Sequence, residues 1–272
     1  MNRGKKAAIL GGGNIGLSIA KGLVKSKLYS EENIYITRRN TEPLKEYAGK
    51  GFRISSDNHK AVQECDIVIV AVQPQQLNGL LSEIKNDIKE EKHIVISVVS
   101  GASVKAIKGQ LESNAAVIRA MPNTAIAIQE SMTCIAGDNV NKEKLELAKQ
   151  IFDSVGSTLI ITEELMIPAT ALCACGIAFF LRAIRAASQG GIEIGFHSEE
   201  ALLMAAQTAK GAAALLLSGE AHPESEVDKV TTPRGCTISG LNQMEHYGFS
   251  SALIRGIVTS ADKAAKLYSI DE

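Results

Sequence analysis

The sequence predicts an α/β fold: an N-terminal doubly wound sheet followed by an all-helical domain. Three observations predict it. Short β-rich apolar runs alternate with longer amphipathic stretches up to about residue 161, a glycine-rich turn directly follows the first run, and strand-like runs stop beyond residue 163.

In chain order, AAIL (7–10) leads into an amphipathic stretch over 14–26, IYIT (34–37) into 41–50, DIVIVAV (66–72) into 74–88, and HIVISVV (93–99) into 103–111. This rhythm predicts parallel strands joined by crossover helices. AVIRAM (116–121) and TCIAG (133–137) add strands, and residues 141–155 form a helix before a last strand, STLIIT (157–162). The remainder reads as helices over 164 to about 189, 198–217, 237–247 and 250–268, with glutamates at 199 and 200 opening the second and Gly219 ending it. The domain boundaries follow as 1–163 and 164–272. The stretch AAQTAKGAAA (205–214) is nearly all small residues, so its helix should pack closely on several others, within one subunit or across a dimer.

At 272 residues the chain is long enough for two ordinary domains. A hydrophobic content of 45%, a charged content of 22% and a net charge of −1 give no electrostatic bias toward nucleic acid or acidic membranes. Five cysteines, odd in number and without zinc spacing, fit a reducing cytosol and a cytoplasmic location. The five histidines are equally dispersed, and no metal is expected. Four apolar residues before three glycines are too few for the core of a signal peptide. The uncharged run over 165–181 contains Pro168 and Gly176, ends at Arg182, falls short of a membrane span and reads as a buried helix.

Gly11, Gly13 and Gly16 match G-x-G-x-x-G between a strand and a helix. In that context the glycines permit the turn, the approach of a pyrophosphate and the packing of helix on strand, with Asn14 and Ile15 opening the helix. The expected ligand is a dinucleotide, and the fold is Rossmann-type. Where NAD-binding chains end their second strand in an acidic residue, this one has Arg38, Arg39 and Asn40. Guanidinium groups attract a 2′-phosphate, so NADPH is the expected cofactor and NADH the weaker alternative. Loops beyond the carboxyl ends of the parallel strands complete the site: Val72, Gln73 and Pro74, then Ser100, with Asn58 in SSDNHK on the adenosine side.

The segment VTTPRGCTISGL (230–241) sets Pro233 and Gly235 against the start of an apolar helical run. Its backbone N–H groups, with the hydroxyls of Thr231, Thr232 and Thr237, read as an anion cradle at a helix N-terminus or as a capped helix after a loop.

Together GGGNIG, RAMPNT (119–124) and VDKVTTPRGCTISGL (227–241) make the chain resemble the pyrroline-5-carboxylate reductase family over essentially its whole length. The resemblance implies hydride transfer from NADPH to the C=N carbon of pyrroline-5-carboxylate, giving proline. It implies that Thr232, Gly235, Cys236 and Thr237 hold the substrate carboxylate, Cys236 through its backbone. Thr237 orients the ring nitrogen, and Glu220 contributes to the polar surroundings. It further implies that residues 164–272 form a substrate-binding and dimerisation domain, in a homodimer that assembles into a larger ring. The chain departs from the family in CACGIA (173–178) for Ser-Gly-Ser-Gly-Pro-Ala, which suggests a less polar, straighter helix start, and in Arg234, Ala125 and Gln73 for Gly, Pro and Lys. Arg234 either assists carboxylate capture or points to solvent. A related cyclic imino acid as substrate, and a non-catalytic NADP(H)-binding scaffold or sensor, are the competing readings.

Overall fold

A computed structural model describes residues 5–219 and 222–268. The strands are β1 (Ala7–Leu10), β2 (Ile34–Thr37), β3 (Arg53–Ser55), β4 (Ile67–Val70), β5 (Ile94–Ser97), β6 (Ala116–Met121), β7 (Ser131–Gly137) and β8 (Gly156–Ile160). They form one sheet in the order β3-β2-β1-β4-β5-β6-β7-β8. The order reverses at β1, where successive crossovers pass to opposite faces and leave a crevice beyond the strand ends. The helices of this part are α1 (Asn14–Lys25), α2 (Lys45–Gly49), α3 (Asn58–Glu64), α4 (Pro74–Ile84), α5 (Val104–Leu111), α6 (Lys142–Asp153) and α7 (Met166–Ala169).

The central strands are buried on both faces, which is why they read as continuous apolar runs. Successive side chains point to opposite faces. Ile9, Ile36, Ile69, Ile96 and Ile118 enter a core with Phe152, while Leu10, Val68, Val70, Val95 and Val117 enter another with Leu77 and Ile107.

Two features of the sheet go beyond the sequence reading. β3 and α3 are present where no element was expected, because RIS is short and α3 starts at Asn58 with Asp57 as its cap. β7 runs antiparallel to β6, and β8 is parallel to β7. Only residues 122–130 join β6 to β7, too few for a crossover helix, and they are used by a 3₁₀ turn over Thr124–Ile128 that ends at Gln129 with φ 65°.

Chain contacts divide the molecule after Ala174: one unit ends there and includes the chain from Ala261, and the other is Cys175–Ser260. The division lies beyond residue 163 because Met166 and Ala169 are buried with Met121, Cys134 and Ala136 of the sheet.

The helices that follow are α8 (Gly176–Glu193), α9 (Ser198–Leu217), α10 (Pro223–Lys229), α11 (Cys236–His246) and α12 (Phe249–Tyr268). The chain is helical from Glu163 to Glu193, long and apolar enough by length and composition to cross a membrane, and only 22% of its most apolar window is buried. The expected buried helix is therefore open in the single chain, where Phe180 and Leu181 are more than half exposed. The small residues of α9 do not close a private core either. Ala201 packs over Gly191, but Leu203 and Leu217 are 71% and 88% exposed.

Candidate active site

The glycine loop is built as the spacing demands. After Leu10 the chain turns at Gly11 (φ 120°), and the N–H groups of Gly11 and Gly12 donate to the Thr37 carbonyl at 3.1 and 2.8 Å. A Cβ on Gly11 would stand 2.3 Å from the Ala71 carbonyl oxygen, and one on Gly16 2.2 Å from that of Gly11, so neither position admits a side chain. Gly13 differs: it is extended, caps α1 without any side-chain bond, and nothing lies within 4 Å of where its Cβ would be. The first-turn N–H groups of Asn14, Ile15 and Gly16 have no intrahelical partners, which with the open space over Gly13 suits a pyrophosphate.

Beside this loop lies a cavity of about 590 Å³. Of the residues expected to bind cofactor, Gly11, Gly13, Arg38 and Arg39 line it, as do Asn58, Val72 and Gln73. Pro74 is the first residue of α4, and Gln73 caps that helix through a reciprocal bond with Gln76. Ser100 is not on the wall of this cavity; its hydroxyl is directed to the Met121 sulfur at 3.8 Å.

Arg38 is held at both ends. Its N–H donates to the Ser55 carbonyl at 3.1 Å, and Nη1 donates to the Gly12 carbonyl at 3.1 Å. Arg39 is exposed. Asn58 is the first residue of α3 rather than a loop residue: its Oδ1 accepts from Thr37 at 2.6 Å and its Nδ2 donates to Glu83 at 3.0 Å. Sequence reasoning missed Thr37, Gln76 and Glu83, which also line the cavity. Thr37 was legible as the last residue of a strand facing the crevice; Glu83 lies within a helix pattern and carried no signal.

The helical unit shapes the second candidate segment. The hydroxyl of Thr231 donates back to the Val227 carbonyl at 2.7 Å, so it closes the end of α10 and is not directed at the next helix, as the sequence suggested. The N–H of Gly235 donates to the Thr232 carbonyl at 2.9 Å across Pro233 and Arg234, and Arg234 has φ 62°. A proline followed by a residue of positive φ is the pattern of a type II turn. Gly235 then caps α11 with no side-chain bond, leaving the N–H groups of Cys236, Thr237 and Ile238 for an anion. Thr232, Arg234, Cys236 and Thr237 are exposed in the single chain. Glu220 lies outside the described residues.

The altered CACGIA segment is not a straighter helix start. Thr170–Cys175 is π-helical, one wide turn between α7 and α8. The RAMPNT loop meets it: Asn123 accepts from the Ala125 N–H at 3.0 Å and donates to the Cys173 carbonyl at 3.3 Å. Arg119, buried in β6, pairs with Glu163 at 2.8 Å, and the same carboxylate oxygen accepts from the Val104 N–H.

Residues 163–267 match the family model described as pyrroline-5-carboxylate reductase dimerisation, and residues 6–101 match one described as NADP oxidoreductase, coenzyme F420-dependent. Pyrroline-5-carboxylate reductase 2 of Dictyostelium discoideum is 48% identical, across 98% of this chain and 94% of that protein. The chain belongs to the pyrroline-5-carboxylate reductase family. Pyrroline-5-carboxylate reductase 1 of the same organism is 56% identical across 96% of this chain, and the chain spans half of that relative's length. Among solved structures, a pyrroline-5-carboxylate reductase from Coxiella burnetii superposes with a TM-score of 0.92 at 27% identity, covering 97% of this chain and 98% of the other. Pyrroline carboxylate reductase from Plasmodium falciparum, solved with NADP bound, superposes at 0.85 with 23% identity, covering 97% and 98%, a likeness that bears on the fold. As a member of the pyrroline-5-carboxylate reductase family the chain is an oxidoreductase with a Rossmann-type nucleotide domain and a helical domain.

Proposed function

We propose that this chain catalyses the NADPH-dependent reduction of 1-pyrroline-5-carboxylate to proline. The observation that carries the reading is near-complete coverage of a reductase of that name at 48% identity. The glycine loop and the arginines beside it fit the cofactor on physical grounds, since they join an uncapped helix start to two guanidinium groups at one cavity.

NADPH, when bound, supplies the hydride for the imine carbon. The protein binds and orients. Gly11, Gly13, Asn14, Ile15 and Gly16 hold the pyrophosphate, Arg38 and Arg39 the 2′-phosphate, and Asn58 the ribose. Val72 and Gln73 contribute from the loop that follows β4, which Pro74 closes as the first residue of α4. Thr232 and the N–H groups at Gly235, Cys236 and Thr237 take the substrate carboxylate through charge-assisted hydrogen bonds. The Thr237 hydroxyl orients the ring nitrogen; too weak an acid to be the proton source, it acts by position, with Glu220 in the polar surroundings. The exposed apolar faces of α8 and α9 are covered in a homodimer, built on the segment that matches the dimerisation model. The free cysteines fit a reducing, cytoplasmic setting.

The test is NADPH oxidation, followed by its absorbance, on adding pyrroline-5-carboxylate to purified protein, repeated with NADH. Faster oxidation of NADPH supports the reading. Faster oxidation of NADH overturns the roles of Arg38 and Arg39, and oxidation of neither cofactor overturns the reaction.

A further inference from the structure

The π turn of Thr170–Cys175 brings together two thiols far apart in sequence. Cys134 on β7 and Cys173 in the turn stand with their sulfurs 3.9 Å apart, in van der Waals contact. Cys134 is buried among Met121, Ala136, Met166 and Ala169, whereas Cys173 packs against the edge of this cluster and is partly open. The Asn123 amide on the Cys173 carbonyl holds the turn against the loop that precedes β7. Disulfide sulfurs lie ~2 Å apart, so closure asks for a displacement on the scale of a side-chain rotation.

The contact is chemically unequal. The Cys134 thiol beside it draws the Cys173 thiol down, against the opposing effect of burial. The same contact, and then burial, push Cys134 up. Cys173 is partly open and Cys134 is a buried thiol in contact with it, the arrangement of an attacking and a resolving cysteine. Cys65 lacks both features: it is buried, and desolvation pushes its thiol up to about 12.

We propose that Cys134 and Cys173 are a reversible redox pair, oxidised by hydroperoxides to a disulfide that ties the π turn to β7. In the first step the Cys173 thiolate attacks one peroxide oxygen. The S–O bond forms, the O–O bond breaks, and the departing hydroxide takes a proton and leaves as water. In the second step the Cys134 sulfur attacks the Cys173 sulfenic sulfur; the S–S bond forms, the S–O bond breaks, and the hydroxide leaves with the Cys134 proton as a second water. Two thiols lose two electrons and one hydrogen peroxide becomes two waters. A dithiol reverses the change by thiol–disulfide exchange.

The experiment is to treat the reduced protein with hydrogen peroxide, denature it in iodoacetamide and map its peptides. The expected result is a linked Cys134–Cys173 pair that dithiothreitol removes, with Cys65 alkylated throughout. The linkage is absent in Cys173→Ser, which keeps basal NADPH oxidation. In Cys134→Ser, Cys173 instead accumulates a dimedone-reactive sulfenic acid. Full alkylation of both cysteines while the exposed Cys236 is oxidised, or linkage of Cys173 to Cys175, overturns the proposal. So does a Cys134→Ser protein in which Cys173 resists dimedone.

Discussion

The Thr37 hydroxyl donates to the Asn58 side-chain carbonyl at 2.6 Å, and so fixes which way that amide faces the cavity. The other end of the amide donates to Glu83, leaving Asn58 no freedom to flip without breaking both bonds. Replacing Thr37 by valine keeps the shape and removes the donor. A lost hydrogen bond of this kind costs ~1–3 kcal/mol where the partner is left unsatisfied. The expected outcome is a lowered Tm and a several-fold higher KM for NADPH with kcat little changed, read by steady-state kinetics and thermal melting.

Arg39→Ala should raise KM for NADPH about ten- to a hundredfold, the worth of a charge-assisted hydrogen bond of ~1.5–3 kcal/mol, and leave KM for NADH nearly unchanged. Arg38→Ala should show the same preference with an added loss of Tm, because its guanidinium also bonds the Gly12 carbonyl. Equal losses with both cofactors would assign the arginines to the loop rather than to the phosphate.

Gly13 and Gly16 should separate binding from folding. A Cβ at Gly16 would meet the Gly11 carbonyl oxygen at 2.2 Å, so Gly16→Ala should unfold the loop and lower Tm sharply. Gly13→Ala meets nothing within 4 Å and should stay within ~1 kcal/mol of the parent in stability, yet bind NADPH more weakly, because its methyl occupies the ligand's space. Calorimetry and cofactor titration check both.

Arg234 stands at φ 62°, a left-handed backbone that favours glycine. Left-handed backbone costs a non-glycine residue ~1–2 kcal/mol, against the ~0.4–1 kcal/mol that glycine adds to the freedom of the unfolded chain. Arg234→Gly should therefore raise Tm slightly, and a lowered Tm would show that the side chain makes a contact worth more than the strain.

The exposed His59 pairs with Asp87. The Asp87 hydrogen bond raises the His59 pKa. Burial alone would raise Asp87, but hydrogen bonds from Gln63 and His59 hold it below the usual carboxylate range. The histidine contribution is full below its unfolded value of about 6.5 and is lost as pH rises through the folded value; the aspartate contribution is present above about 3.9 and is lost as pH falls. His59→Gln should lower stability most between these limits and least once pH has risen past the raised folded value of the histidine, as denaturant melts at several pH values will show.

Much of this was legible in the residues. IYIT and AVIRAM became strands with the expected bounds, and the glycine spacing marked the nucleotide loop, because both signals are local: β-branched runs and sterically unique glycines act within a few residues. The segment from Thr232 to Thr237 was legible for the same reason, since a proline, a glycine and a helix start declare a turn.

Other features depended on distance. RIS and NHKAVQE are too short to declare themselves, and become β3 and α3 only by pairing with β2 and packing near α4. The reversal between β6 and β7 was missed because TCIAG has the same apolar pattern in either direction. Thr231 looked like part of an anion cradle until α10 supplied a carbonyl for its hydroxyl.

Residue type and spacing were enough to specify the α/β order, the nucleotide loop, the paired arginines and the turn before α11, because each depends on backbone preferences or charge that a residue carries with it. Tertiary packing alone decided the direction of β7, the Thr37–Asn58–Glu83 chain, the exposed face of α8 and the meeting of Cys134 with Cys173. Those depend on which distant segments share a surface, and hydrogen bonds and sulfur contacts act only over a few ångströms once the chain has brought their partners together.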